Sequence, residues 1–315
     1  MTNQDLEKHT IGWVGAGRMG YHMAERLIKA GCDVTVMDII PEKIEPLGKM
    51  GAKLVTAPAD VADRDIVFFS VPGPNDLKEA VLGANGVLSR RDKAPKLLVD
   101  CSSVSVEASS EVREAAAQRG TDMLVASVSG NHHVIKAGKL TVVSSGPKAA
   151  FDIAKPYLDV IAPGGDSYVG EGDLARMVKI CHNVLLAVYA QNLAEITVLA
   201  EKFGVPRHAF MEFINKSVMG SPFSRYKTPA IVNLDFSVTF TPHLLKKDLD
   251  LGLAAGRKLD VPMPVTAATR EMVQTMIGYG YIDVDFMALL LLEAKASNLD
   301  LKPENVKVSD GLEDG

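Results

Sequence analysis

Cysteine is scarce in this chain: Cys32, Cys101 and Cys181 are the only three, far apart and without a CxxC pair. Their number and spacing argue against a disulfide framework or a zinc site, and for reduced thiols in a reducing compartment. Long apolar runs are missing too. Met287 to Leu292 is typical of the longest and is too short to cross a bilayer, which takes about 20 residues. Met1 to Thr10 is polar and lacks the apolar stretch of a secretory signal, so the expected location is cytoplasmic. Neither charge dominates. The formal net charge of −5 gives no general attraction to nucleic acid or anionic lipid, so neither is expected as a partner. Internal repeats and low-complexity tracts are also lacking. What remains is the balance of an ordinary globular protein, 47% hydrophobic and 23% charged over 315 residues, long enough for a large domain and a smaller second one.

The first half alternates short β-branched runs with helical stretches, the pattern of a parallel sheet with crossover helices. Strands are expected at Thr10 to Val14, Val34 to Met37, Asp65 to Val71, Lys96 to Asp100, Met123 to Val128 and Leu140 to Ser144. Met19 to Ala30 carries apolar residues at helical spacing. After Pro163-Gly164-Gly165 the texture changes, and Asp173 to Phe203, free of proline and glycine, reads as one long helix. The expected fold is α/β: a Rossmann-type, doubly wound parallel sheet in residues 1–168, joined by the long helix to an all-helical domain in residues 169–301. The polar, acid-rich residues 302–315 read as a disordered tail. Phe286 to Leu292 suits either a subunit interface or a domain core.

Gly15-Ala16-Gly17-Arg18-Met19-Gly20 follows an expected strand and opens an expected helix. In such a turn the first glycine permits the tight bend and the second admits a pyrophosphate against the backbone. The third lets helix pack closely on strand, while the helix N-terminus presents its N–H groups to the phosphates. Asp38 ends the second strand at the distance where a carboxylate accepts hydrogen bonds from the adenosine ribose. It repels a 2′-phosphate, and Ile39, Ile40 and Pro41 follow it with no arginine, so the expected cofactor is NAD. Arg18 inside the loop can pair with pyrophosphate or face solvent.

Five segments in order resemble the β-hydroxyacid dehydrogenases, a family that includes 3-hydroxyisobutyrate dehydrogenases and, more distantly, 6-phosphogluconate dehydrogenases. They are Gly15 to Leu27; Asp100-Cys101-Ser102-Ser103; Val128-Ser129-Gly130 with Gly138-x-Leu140-Thr141; Lys179-Ile180-Cys181-His182-Asn183; and Lys247-Asp248-Leu249. The resemblance covers about Thr10 to Leu299. It implies NAD contacts from the glycine loop, Val71, Pro72, Ser103 and Lys247. It also implies a substrate site built from Ser129, Gly130, Lys179 and Asn183, and a homodimer or homotetramer.

The chemistry can be argued separately. Oxidising an alcohol with NAD needs a group that accepts the hydroxyl proton, and Lys179 serves if its surroundings lower its pKa. In the reverse direction it is the acid. Asn183, four residues on, shares its helix face and can position the substrate hydroxyl or carboxylate. Ser129 and the N–H of Gly130 can bind the carboxylate.

The chain departs from the family pattern where the substrate turn usually reads Ser-Gly-Gly. Here Gly130 is followed by Asn131, His132 and His133, so Asn131 or His132 is expected to meet a polar substituent on the substrate. Asp173 and Ala175 stand where glycines are usual. The adjacent histidines do not make a metal site, since no carboxylate or cysteine stands at ligand spacing. The expected activity is therefore oxidation of a small 3-hydroxy acid: 3-hydroxyisobutyrate, a threonate-like acid or a 3-hydroxy amino acid. The alternatives are an imine reductase of the same architecture, which generally lacks the lysine, and a non-catalytic NAD-binding module.

Overall fold

A computed structural model of the protein describes residues 6–312. Among them the chain divides into two compact units that meet in sequence between Lys179 and Ile180. The division lies inside the long helix, eleven residues beyond the boundary expected near Tyr168.

The first unit is an eight-stranded sheet in the order β3-β2-β1-β4-β5-β6-β7-β8. The strands are β1 (Ile11–Val14), β2 (Val34–Met37), β3 (Lys53–Val55), β4 (Ile66–Phe69), β5 (Leu97–Asp100), β6 (Asp122–Ser129), β7 (Thr141–Ser145) and β8 (Asp166–Tyr168). β1, β2, β4 and β5 are buried along their whole length, as both-face packing requires. Side chains alternate between two cores. Trp13, Phe68 and Val99 join Met23, Leu27 and Tyr157 on one face. Val14, Val67, Phe69 and Leu98 join Leu77, Val81 and Val112 on the other. The order reverses between β1 and β4, and that switch point is where doubly wound sheets bind ligands at the carboxyl ends of their strands.

The sheet is not wholly parallel. β7 runs antiparallel to β6, and β8 follows β7. Only residues 130–140 join β6 to β7, fewer than the dozen or more that a parallel crossover needs. The chain instead doubles back through the one-turn helix His132–Lys136. The sequence pattern also missed β3 and β8, each three residues long and without the continuous apolar run of the others.

The second unit is helical. The long helix Leu174–Phe203 contributes Ala187, Ala190, Leu193, Ala194 and Val198 to its core, beside Leu245, Leu249, Val273 and Met276. By length and composition this helix is sufficient to cross a bilayer, longer than any apolar run weighed from sequence. Its apolar face nevertheless packs into protein. Gly252, on helix Pro242–Lys258, lies so near the long helix that a β-carbon there would fall 2.4 Å from Val184. Phe286 to Leu290 are almost entirely buried with Leu292, so this run is the core of the unit rather than an exposed subunit face.

The tail differs from expectation. Through Leu312 it lies against the second unit without regular structure, and residues 313–315 fall outside the described range. Glu304 accepts the backbone N–H groups of Arg207 (2.6 Å) and His208 (3.0 Å), while Val306 exchanges hydrogen bonds with Asn233. Val306 and Val308 pack on the helical core. Composition suggested a solvated tail, but alternate apolar residues and one well-placed carboxylate hold it down.

Candidate active site

The glycine turn has the geometry that its sequence requires. Gly15 has φ +94°, and a β-carbon there would lie 2.3 Å from the carbonyl oxygen of Ser70. At Gly20 a β-carbon would come 2.0 Å from the Gly15 carbonyl oxygen. Gly17 differs: nothing lies within 4 Å of where its β-carbon would stand, so the backbone there is open to a ligand. Helix Gly20–Lys29 begins without a side-chain cap, which leaves N–H groups for an anion. Ala16 is buried and Met19 half-buried, whereas Arg18 is exposed. These features fit a dinucleotide pyrophosphate.

Asp38 stands at the end of β2, 8% exposed. One of its oxygens accepts the Ala16 N–H at 2.6 Å and the other the Ile40 N–H at 2.9 Å. The carboxylate therefore braces the glycine turn and keeps lone pairs for ribose hydroxyls. Ile39 beside it is 85% exposed, and Ile40, Pro41 and Glu42 follow, with no basic residue before Lys43.

The loops after β4 and β5 are joined. The Val71 N–H donates to Ser102 Oγ at 2.9 Å, and the Ser102 N–H donates to Asp100 Oδ1 at 2.9 Å. Of the expected cofactor contacts on these loops, Val71 and Ser103 are half-buried and Pro72 is exposed. Asp100 also forms a fully buried ion pair with Arg176 on the long helix, and Arg176 donates a second hydrogen bond to the Ser102 carbonyl at 2.6 Å. Sequence reasoning missed Arg176. The available signal was an arginine in the apolar run Leu174-Ala175-Arg176-Met177-Val178, one helical turn before Lys179.

Lys179 is half-buried, the last residue of the first unit. The helix that carries it is capped from the sheet: Ser145 Oγ accepts the Ala175 N–H at 2.9 Å and donates to the Gly172 carbonyl at 2.8 Å. Arg113 reaches Asp173 at 2.5 Å. Asp173 and Ala175, the residues in place of usual glycines, are thus both engaged in holding the helix start.

At the turn after β6, Ser129 is half-buried and Gly130, at φ +136°, is exposed. Asn131 caps the following helix, its Oδ1 accepting the N–H groups of His133 and Val134. This work engages the side-chain oxygen of one of the two residues expected to meet the substrate. His132 stacks against His22 of the glycine-loop helix, with ring centroids 6.4 Å apart, and lies 4.0 Å from the ring of His133. Burial, and secondarily the positive fields of His133, Lys136, His22 and Arg18, pushes the His132 pKa down to about 4. His132 is therefore a neutral ring at pH 7.

In the second unit Asn183 is buried, and its Nδ2 donates to Asp248 Oδ2 at 2.5 Å. His182 Nδ1 lies 2.9 Å from Asn183 Oδ1, and Lys247 is 3.6 Å from the other Asp248 oxygen. Lys247 also lines an open surface pocket with His243, Lys246, Asp250 and Leu251. Asp248 was visible in the Lys-Asp-Leu motif, but its pairing with Asn183 needs two helices to be packed before it appears.

The three cysteines are free. Burial raises the thiol pKa of Cys32 to about 11 and pushes that of Cys101 higher still, whereas Cys181 is exposed on the long helix. Among the described residues no three histidine, cysteine or acidic side chains are grouped as metal ligands.

Comparison with known proteins agrees with the fold. The family model described as the NAD binding domain of 6-phosphogluconate dehydrogenase matches residues 10–178. The model described as the NAD-binding domain of NADP-dependent 3-hydroxyisobutyrate dehydrogenase matches residues 173–292. The chain is 35% identical to the 2-(hydroxymethyl)glutarate dehydrogenase of Eubacterium barkeri, over 84% of this chain and 88% of that one. It is 30% identical to the 3-hydroxyisobutyrate dehydrogenase of Pseudomonas aeruginosa, over 83% and 90%. Its fold is similar to that of the Mycobacterium tuberculosis 3-hydroxyisobutyrate dehydrogenase solved with L-serine. There the TM-score is 0.78 at 26% identity, covering 90% of this chain and 98% of that one.

Fold and relatives together define an oxidoreductase that acts on a CH–OH group with a nicotinamide dinucleotide. Within that class, the chain belongs to the β-hydroxyacid dehydrogenase family.

Proposed function

We propose that the protein oxidises the hydroxyl group of a small 3-hydroxy acid with NAD, using Lys179 to accept the hydroxyl proton. The observation that carries this reading is the seating of the lysine helix. One turn before Lys179, Arg176 is bonded to the carboxyl end of β5 and to the loop behind it. That is the edge of a doubly wound sheet at which dinucleotides lie.

NAD is favoured over NADP by Asp38, whose carboxylate suits ribose hydroxyls and opposes a 2′-phosphate, with exposed Ile39 where an arginine would be needed. The glycine turn would hold the pyrophosphate, Val71, Pro72 and Ser103 the nicotinamide side, and Lys247 a further contact. When bound, the nicotinamide supplies the hydride acceptor. Lys179 in its neutral form takes the hydroxyl proton as the hydride departs, and returns it when the reaction runs in reverse. Ser129 and the Gly130 N–H bind the substrate carboxylate. Asn183, oriented by Asp248, positions the reacting hydroxyl. His132, neutral and stacked on His22, meets a polar substituent, which favours substrates larger than 3-hydroxyisobutyrate, such as hydroxylated, amino or dicarboxylic 3-hydroxy acids.

The test is NADH formation by the purified protein across a panel of such acids, with Lys179→Ala assayed beside it. Turnover of a panel member, reduced about 100-fold or more in the variant while NAD still binds, is expected. Tight NAD binding with no turnover of any member would refute it.

A further inference from the structure

Resting on the reading of Lys179 as the proton carrier, we propose that Arg176 is its positioning residue: a clamp that sets the register of the lysine helix against the cofactor-binding loops. The first turns of this helix have little apolar hold. Leu174 is 51% exposed and Val178 42% exposed, and from 174 to 178 only Ala175 and Arg176 are buried. The seat of the helix is therefore polar. Ser145 caps it at Ala175, Arg113 holds Asp173, and Arg176 reaches past both to the sheet.

The partners of Arg176 give the clamp its meaning. Its two terminal nitrogens take different targets: the Asp100 carboxylate at the end of β5 and the Ser102 carbonyl in the loop beyond. Asp100 in turn holds the Ser102 N–H, and Ser102 Oγ holds the Val71 N–H after β4. One guanidinium thus ties both loops that carry Val71, Pro72 and Ser103 to a point one helical turn from Lys179. A planar fork bonded at two points restrains rotation of the helix about its axis as well as sliding along it. An apolar contact of the same volume restrains neither so closely.

Stability alone does not explain the arrangement. Apolar side chains of similar volume commonly replace a buried ion pair without loss of stability. Proton transfer is more demanding, because catalytic groups must be held within about 0.5 Å and 10–20° of their working geometry. A long, flexible lysine transmits any rotation of its helix to the ammonium nitrogen.

The proposal separates catalytic register from folding, and the double variant Arg176→Met/Asp100→Asn tests it. It removes both charges, nearly keeps the volume, and leaves an amide oxygen to accept the Ser102 N–H. We expect a melting temperature within a few degrees of wild type and substrate KM within about threefold. At saturating NAD, kcat falls about ten- to a hundredfold. Recovery of kcat together with melting temperature would make the pair a mere strut and overturn the proposal. If the double variant does not fold, Arg176→Lys, which keeps the charge beside Asp100 but gives up the two-point fork, decides the question. A loss of kcat of about tenfold at near-normal melting temperature supports the clamp, and unchanged kcat refutes it. Lys179→Ala is measured in parallel: full activity there would remove the proton-carrier reading itself, whatever the clamp variants do.

Discussion

Asn183 and Asp248 stand on different helices, 65 residues apart in sequence, and share a buried hydrogen bond of 2.5 Å. The amide can turn either its nitrogen or its oxygen toward a ligand. The carboxylate removes that choice by accepting only from Nδ2, leaving Oδ1 directed elsewhere, toward His182. Asp248→Asn abolishes this selection. We expect kcat about tenfold lower or less, and a stability loss of about 1–3 kcal/mol from imperfectly paired buried groups. Steady-state kinetics and thermal melting check both, and a variant with wild-type kcat would show that amide orientation has no bearing on turnover.

Gly17 and Gly20 separate folding from binding within a single turn. Gly17→Ala adds a methyl group to open space, so the fold is expected to keep its melting temperature. NAD affinity should drop about tenfold or more, because the methyl occupies the approach of the pyrophosphate. Gly20→Ala drives a β-carbon into the Gly15 carbonyl and is expected to cost about 1–3 kcal/mol or more in stability. Calorimetry on both variants gives the comparison.

Asp38 is expected to decide the cofactor. Asp38→Asn keeps the shape and removes the charge that opposes a 2′-phosphate. The ratio of kcat/KM with NAD to that with NADP should fall about tenfold or more. A wild-type protein that already prefers NADP would contradict the NAD assignment outright.

His132 makes a contribution with a definite sign. Its pKa in the folded protein is about 4, below the value of about 6.5 in an unfolded chain. Between those values the unfolded state binds the proton more readily. The contribution is therefore complete above about pH 6.5 and is lost as pH falls toward 4. Melting temperature measured from pH 7 to 4.5 should decline less steeply in His132→Leu than in wild type. Identical slopes would show that the ring is not held neutral by its surroundings.

Glu304 is expected to act on stability alone. Besides the two backbone N–H groups at the start of helix Arg207–Lys216, it meets His208 Nδ1 at 2.8 Å. No side chain within that helix caps it. Glu304→Ala should cost about 1–3 kcal/mol in unfolding free energy while kcat per folded molecule stays unchanged. A loss of kcat would tie the tail to turnover.

Much of the first unit was legible because its signals are local. Glycine spacing, a strand before it and an acidic residue after it are all short-range facts, and the buried strands announce themselves as apolar runs. Legibility ended where geometry depends on distant partners. The reversal of β7 follows from a connection length whose meaning emerges only once β6 has ended at Ser129. Asn131 reads in the sequence as a substrate group, and its capping of the helix that follows appears only once that helix is formed, since both roles ask for the same side chain after a turn. Arg176 and Asp248 were in view as letters. What they do depends on Asp100 and Asn183, 76 and 65 residues away, and no periodicity reports such pairs.

Because Cys32 and Cys101 are buried with their thiols held protonated, Cys181 is the one thiol of the three that is open to alkylation. Its position between Lys179 and Asn183 turns the native chain into its own reporter. A maleimide dye added without any engineering would attach on the same helix, two residues from each. Residues two apart on a helix face different ways, so the dye's fluorescence reports movement of the helix itself rather than contact with a ligand.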